Sequence, residues 1–353
     1  MKKVLVAMSG GVDSSVAAWL LQQQGYTCVG VTMKLYENET VGYCRSRTCC
    51  SLDDIEDAKS VAAKLGIAYH VFQFAADFET QVIGRFVAAY ESGMTPNPCI
   101  DCNRYLKFDR LYHRARELGC DSIATGHYAR ITQQDGVFQL HAARDADKDQ
   151  SYVLYSLTQQ QLAHTEFPLG NLTKNEVRRI AEEQGFLNAH KRDSEDICFV
   201  PDGDYAAFLE RYTGRTYPPG LFIDAQGNKL GQHQGLIRYT VGQRRGLGIA
   251  SSEPLYVSRI EPETNTITLG GKAALLRTSC TARQVNWLSG RIPEAPFAAQ
   301  VRIRYHAAPC PAVVTPTAEG IHIAAQSPLS AVAPGQAVVV YRDGQVICGG
   351  TLD

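Results

Sequence analysis

No stretch of the 353 residues approaches the roughly 18 consecutive apolar residues that a membrane span requires. Behind Lys2 and Lys3 the apolar run of residues 4–8 is too short for the hydrophobic segment of a secretory signal, so no export is expected. An excess of charge is also missing: 35 Lys and Arg stand against 36 Asp and Glu, a formal net charge of −1. No global field therefore advertises a polyanionic partner, and any nucleic-acid binding must come from local basic patches. There is no low-complexity tract and no repeat, which removes disordered chains and repeat arrays. Cysteine, by contrast, is plentiful. Eleven cysteines without a secretory signal point to a reducing compartment, the cytoplasm, where close Cys spacings mean chemistry or metal binding rather than structural bridges.

The length suggests two or three domains, at about 150 residues each. Val4-Leu5-Val6-Ala7 is a short continuous apolar run, as expected of a buried parallel strand. Ser9-Gly10-Gly11-Val12-Asp13-Ser14-Ser15 follows at once, then a helix with Val16, Ala17, Leu20 and Leu21 on one side, stopped by Gly25. Two glycines let backbone amides close on an oxyanion, the helix N-terminus adds partial positive charge, and the serines add donors. That is a phosphate cradle, but the Walker spacing is absent. A tight turn with helix-capping serines would explain a bare Gly-Gly; it does not explain the whole string. SGGVDSS resembles the PP-loop of ATP pyrophosphatases, in which the aspartate, here Asp13, helps hold the metal on the pyrophosphate.

Strand and helix patterns then alternate. Residues 29–33 read as a strand, and Ser51-Leu52-Asp53-Asp54 opens a helix ending at Gly66. Residues 69–74 read as a further strand. Phe108, Leu111, Ala115 and Leu118 mark a helix ending at Gly119, and residues 122–127 are a strand running into a loop. The expected fold is α/β: a doubly wound parallel-sheet nucleotide domain over residues 1–200. A small β-rich central domain over 201–274 and a C-terminal β-barrel over 275–353 follow. The barrel is read from alternating segments such as residues 301–305 and 338–341, the latter turning at Asp343-Gly344. Ligands of such a sheet gather at the carboxyl ends of its strands, where Ser9, Met33 and Gly126 fall.

Two cysteines stand out. Thr95-Pro96-Asn97-Pro98-Cys99-Ile100-Asp101-Cys102-Asn103 reads as a rigid loop before the Phe108 helix, a setting that favours thiolate. Cys198 follows the polar run Arg192-Asp193-Ser194-Glu195-Asp196. Cys28, Cys120, Cys280, Cys310 and Cys348 read as small buried apolar residues. Arg238, Gln243, Arg244 and Arg245 form a local basic cluster that suits RNA phosphates or simply a solvated face.

The strings SGGVDSS, TPNPCIDCN, ATGHYAR, KDQSY, DSEDICF and GQRRGLG together resemble the tRNA-specific 2-thiouridylase family, and the likeness runs from the first loop to the last strands. The resemblance implies ATP with Mg2+ at Ala7, Met8, Ser9, Gly10, Gly11, Val12, Asp13, Ser14, Met33 and Gly126. It implies Cys102 as nucleophile and Cys198 as persulfide carrier, joined transiently by a disulfide. It further implies Asn97, Pro98 and Cys99 against the target base, and His127, Lys148, Asp149, Gln150, Arg304, Tyr305 and Gln336 against tRNA. The partners implied are tRNA and a persulfide-donating carrier protein or sulfide source, with no membrane. The expected reaction is 2-thiolation of a wobble uridine after adenylation of its C2 oxygen. A PP-loop ligase acting on a small molecule and a non-catalytic RNA- or metal-binding protein are rival readings; neither accounts for the paired cysteines together with an intact Asp13.

One departure from the family pattern leaves two readings of the cysteines. Many relatives carry a carboxylate where Cys99 stands, so Cys99 and Cys102 form a C-x-x-C, and Cys44, Cys49 and Cys50 lie upstream. Cys99, Cys102 and Cys198 could ligate an iron–sulfur cluster with one iron open, or zinc could bind with Cys49 or Cys50. The metal-free reading is preferred, because a cluster occupies the thiols that the persulfide route needs.

Overall fold

Val4, Leu5 and Val6 are fully buried and form the centre of strand β1 (Lys3–Ala7). Alternation along the strand sends Leu5 into one apolar core and Val4 and Val6 into another, so both sheet faces are covered. The computed structural model describes residues 1–36, 52–191 and 197–353. Its first sheet contains β1, β2 (Thr27–Lys34), β3 (Ala68–Gln73), β4 (Ser122–Ala124) and β7 (Thr165–Glu166), in the order β3-β2-β1-β4-β7 with every pairing parallel. Helices α1 (Val12–Gln23), α2 (Leu52–Leu65) and α5 (Lys174–Glu183) cover one face through Val16, Ala62, Val177 and their neighbours. Helices α3 (75–91) and α4 (98–117) cover the other through Phe78, Phe86, Leu106 and Leu111. The winding reverses between β1 and β4, which opens a crevice beyond their carboxyl ends.

Between β4 and β7 lies a hairpin that sequence reading did not anticipate, β5 (Ala129–Gln134) and β6 (Val137–Ala142), turning at Asp135-Gly136. It leaves the nucleotide domain and joins the C-terminal barrel, where Gln345 pairs with His141 and the Ala142 amide donates to the Gly344 carbonyl at 2.8 Å.

Helix α6 (Tyr205–Thr213) leads into a small sheet of β8 (Gly220–Ile223), β9 (Lys229–His233), β10 (Tyr256–Glu261) and β11 (Thr266–Gly270) around Phe222, Val257 and Ile267. The remaining strands are β12 (Leu276–Trp287), β13 (Phe297–Arg302), β14 (Cys310–Pro316), β15 (Gly320–Ser330), β16 (Ala337–Arg342) and β17 (Gln345–Leu352). They run β12-β15-β14-β13-β16-β17, and pairing of β12 with β17 closes a six-stranded antiparallel barrel. Asp343 (φ 50°) and Gly344 (φ 77°) form the left-handed pair that a two-residue hairpin needs. Among the described residues no helix is long and apolar enough to cross a membrane.

Candidate active site

β1 delivers the chain into the SGGVDSS turn at the mouth of the crevice. Gly10 takes φ 75°, and a Cβ there would lie 2.4 Å from the Asp54 carbonyl oxygen, so only glycine lets α2 close on the turn. Ser14 Oγ donates to the Gly11 carbonyl at 3.0 Å and accepts the Ser9 amide at 3.1 Å, which locks the loop. The N-terminus of α1 begins at Val12 within this turn and has no side-chain cap, so the helix's partial positive charge falls at the loop. From the other side Gly126 follows β4, and a Cβ on it would lie 2.9 Å from the Ser14 amide nitrogen. The loops after β1 and β4 thus touch through glycine, as the switch point of a doubly wound sheet dictates. Met33, at the end of β2, is buried beside them.

Four further side chains meet this loop, and sequence reading singled out none of them. Lys174 Nζ donates to both oxygens of Asp13 at 2.8 Å, and the Tyr128 hydroxyl donates to Asp13 Oδ1 at 2.8 Å. Asn188 Nδ2 donates to the Gly10 carbonyl at 3.0 Å and to Ser15 Oγ at 2.9 Å, while its buried Oδ1 has no hydrogen-bond partner among the described residues. Lys191 Nζ reaches Asp54 and Asp57, each at 2.6 Å, and the Gly10 carbonyl at 3.5 Å. Burial alone would lower the Lys191 pKa, but the hydrogen bonds it donates to the two carboxylates raise it, so it stays a cation beside the loop. The signal for Lys174 was present in part: Thr173-x-x-Glu176 is a capping box, realised with Thr173 Oγ1 and Glu176 exchanging bonds, and it starts α5 at Lys174. What α5 packs against was not in the sequence.

The cysteine segment differs from the loop expected. Asn97 is an N-cap whose side chain accepts the Cys99 amide at 3.1 Å, and Pro98 takes the first helical position. Cys99 and Cys102 therefore lie inside the opening turns of α4, because Asn followed by Pro is a helix start as well as a turn signal. From Cys102 to Arg110 the winding widens to an i→i+5 pattern, a rare form that recurs at functional sites. Cys99 is exposed and Cys102 buried.

Cys198, half-buried, packs against the same apolar cluster that contains Cys102. Phe199 anchors it, with ring centroids 5.6 Å from Phe78 and 5.2 Å from both Phe86 and Phe208. The Tyr36 hydroxyl donates to the Cys198 carbonyl at 2.7 Å. Cys28, Cys120 and Cys348 are buried as expected, whereas Cys280, within β12, and Cys310, at the start of β14, are only half-buried. Burial pushes the Cys28 and Cys280 thiols up to about 11, which keeps them protonated and inert. Among the described residues no three His, Cys, Asp or Glu side chains gather as a metal site. Cys44, Cys49 and Cys50, with Ser51 and the charged run of residues 192–196, lie outside the described residues.

The residues expected against RNA separate into two settings. Tyr305 lies within electrostatic range of Cys99, and Gln336 Nε2 donates to the Thr95 carbonyl at 2.9 Å. The Thr95 amide donates to the Pro334 carbonyl at 2.8 Å, so the barrel is docked just ahead of Asn97 and Cys99. Arg304 donates to the Ala331 carbonyl, and Lys148 is half-buried. His127, by contrast, is 8% exposed, its ring packed by Phe108 and Phe167 and its Nδ1 2.7 Å from Thr125 Oγ1. Burial and then Lys107 hold its imidazole well below the usual range, and therefore neutral. Gln150 Oε1 accepts the Tyr128 amide at 3.0 Å. Asp149 accepts from the Ala143 and Ser151 amides, the Ser151 hydroxyl and Arg302. Of the basic cluster in the central domain, Arg238 is spent on both oxygens of Glu210 at 2.9 Å.

A doubly wound sheet with this glycine loop, followed by a small β domain and a closed barrel, defines a nucleotide-binding protein of the HUP class with two β appendages. Profiles described as tRNA methyl transferase HUP domain, tRNA methyl transferase PRC-barrel domain and Aminomethyltransferase beta-barrel domain match residues 2–202, 206–271 and 277–352. The chain is 44% identical over 353 residues to tRNA-specific 2-thiouridylase MnmA of Clostridium perfringens, covering 100% of this chain and 98% of that one. It is 47% identical to the protein of that name from Magnetococcus marinus, covering 99% of each. A 4-thiouridine synthetase solved with RNA and ATP aligns over 60% of this chain and 50% of its own, at 17% identity and TM-score 0.36. The chain belongs to the tRNA-specific 2-thiouridylase family.

Proposed function

We propose that this protein is a tRNA-uridine 2-sulfurtransferase that activates the C2 carbonyl of a wobble uridine with ATP, as its magnesium complex, and then replaces that oxygen by sulfur. The observation that carries the reading is the shared setting of three parts. An uncapped phosphate-binding loop, a buried Cys102 and an anchored Cys198 belong to one domain, and the barrel is docked beside Cys99. Residues 1–200 are taken as the catalytic unit, 201–274 as the central domain and 275–353 as the RNA-contacting barrel.

The C2 oxygen attacks the α-phosphorus of ATP, the bond to the β-phosphate breaks, and pyrophosphate leaves. The terminal sulfur of a persulfide on Cys198 attacks C2 and AMP departs, which leaves Cys198 Sγ bonded to the sulfur now on C2. A Cys102 thiolate then attacks Cys198 Sγ; the older S–S bond breaks with its electron pair on the product sulfur, and a Cys102–Cys198 disulfide forms. A persulfide-bearing carrier protein supplies the sulfur, and cytoplasmic thiols reopen the disulfide. An iron–sulfur cluster on Cys99, Cys102 and Cys198 would need those thiols to converge, and it would hold the two that the exchange uses.

Incubation of the protein with unmodified tRNA, ATP and a persulfide source, followed by mass spectrometry of the nucleosides, is expected to yield 2-thiouridine. Methylated uridine formed with S-adenosylmethionine in place of ATP, or pyrophosphate release driven by a small carboxylate instead of tRNA, would replace this reading. Asp13→Asn and Ser14→Ala are expected to lower tRNA-dependent pyrophosphate release by about 100-fold while tRNA affinity changes less than about threefold. An equal loss in both measurements would remove Asp13 and Ser14 from the phosphate site.

A further inference from the structure

The contact between Asp13 and Lys174 joins residues 161 positions apart, and the lysine side chain is only 9% exposed. Lys174 also lies 5.9 Å from the centroid of the Tyr128 ring, while the Tyr128 hydroxyl binds the same carboxylate. A cation so placed depends on nearby negative charge, because removing one member of a desolvated pair leaves the other poorly compensated. The carboxylate that the loop offers to a nucleotide-bound metal is therefore already neutralised by an ammonium group.

This arrangement treats its ligands unequally. A divalent cation arriving alone meets Lys174 Nζ across Asp13, cation against cation. A polyphosphate arriving alone finds the ammonium engaged by a carboxylate of its own sign. When the two arrive together, the metal takes Asp13, the phosphate oxygens take Lys174, and both charges stay compensated. Asn188 and Lys191 hold the Gly10 carbonyl through contacts that do not involve Asp13, so the loop need not rearrange during the exchange.

We infer that Lys174 is an exchange partner for Asp13 that makes metal and polyphosphate binding at this loop depend on each other. The inference rests on the ATP reading above and deepens it. Linkage makes the dependence reciprocal, and a coupling of this kind is typically 5- to 150-fold.

The test is a pair of titrations on the full-length protein without tRNA: Mn2+ alone, followed by its electron paramagnetic resonance signal, and the preformed Mn2+–pyrophosphate complex. Lys174→Met is expected to bind Mn2+ alone about tenfold more tightly than wild type and Mn2+–pyrophosphate about tenfold more weakly. Lys174→Arg, which keeps the charge, is expected to stay near wild type in both. A residue that merely supports the fold would move both affinities downward together, and that result, or an unchanged Mn2+ affinity in Lys174→Met, overturns the inference. Should Lys174→Met not fold, Lys174→Gln is read in the same way. Wild-type protein that binds neither Mn2+–pyrophosphate nor Mg2+–ATP would take the ATP reading down with it; intact ATP binding without the opposed shifts would sink the exchange alone.

Discussion

Replacing Cys198 by serine is expected to cut 2-thiouridine formation by at least roughly a thousandfold while tRNA-dependent pyrophosphate release from ATP remains measurable. A hydroxyl cannot carry a transferable sulfur atom, but it fits where a half-buried thiol fits, and Phe199 keeps the segment anchored among Phe78, Phe86 and Phe208. Activation precedes sulfur attack, so the phosphate loop, built from Ser9 to Ser14, should not register the change. Cys102→Ser makes the complementary prediction. The sulfur reaches C2 but is not released, and a covalent adduct between Cys198 and tRNA accumulates that a reductant cleaves to thiolated tRNA. Parallel assays of pyrophosphate and thiolated nucleoside, with denaturing gels for the adduct, distinguish the two thiols. Normal thiouridine formation by Cys198→Ser would end the persulfide assignment.

Asp149→Ala is expected to destabilise the protein by about 3–5 kcal/mol, the usual cost of removing one partner from a buried ion pair. The Asp149 side chain is 2% exposed and that of Arg302 19%, with Oδ2 3.1 Å from Nη1. Arg302 belongs to the barrel strand β13 and Asp149 to the loop after β6, so the pair pins the barrel to the nucleotide domain. Its loss would also strand the Ala143 and Ser151 amides, and Ser151 Oγ lies 3.2 Å from the hydroxyl of Tyr341 on the barrel strand β16. Chemical denaturation measures the change. Asp149→Asn keeps the acceptor for both amides and should lose less. Wild-type stability in Asp149→Ala combined with weak tRNA binding would assign the side chain to RNA instead of to the domain contact.

The contrast between these two predictions reflects what was legible before any coordinates. Cys198 is marked by its neighbours in sequence, as are the glycine loop and the Asp343-Gly344 hairpin, because local backbone demands leave local signatures. The apolar run at residues 4–7 announced a doubly buried strand, and the alternating segments after residue 275 announced the barrel. Asn97-Pro98 was ambiguous, since the same pair opens a turn or caps a helix, and the packing of Leu106 and Leu111 against the sheet decided for the helix. The Asp135-Gly136 hairpin escaped because its strands are mixed in polarity, and β6 pairs with the distant strand β17 rather than with the sheet nearby.

By itself, then, the sequence determined the class of sheet and marked the glycine loop and the two thiols to which the proposed ATP and sulfur chemistry is assigned. All of these depend on residues adjacent in the chain. Only the tertiary structure decided which charges oppose one another: Lys174 on Asp13, Lys191 on Asp54 and Asp57, Arg302 on Asp149. Each of those pairs spans more than 130 residues, so no local pattern encodes it. The physical reason is that a buried charge is satisfied by whatever the fold brings within about 3 Å of it, and that proximity is set by helix and barrel packing rather than by sequence spacing.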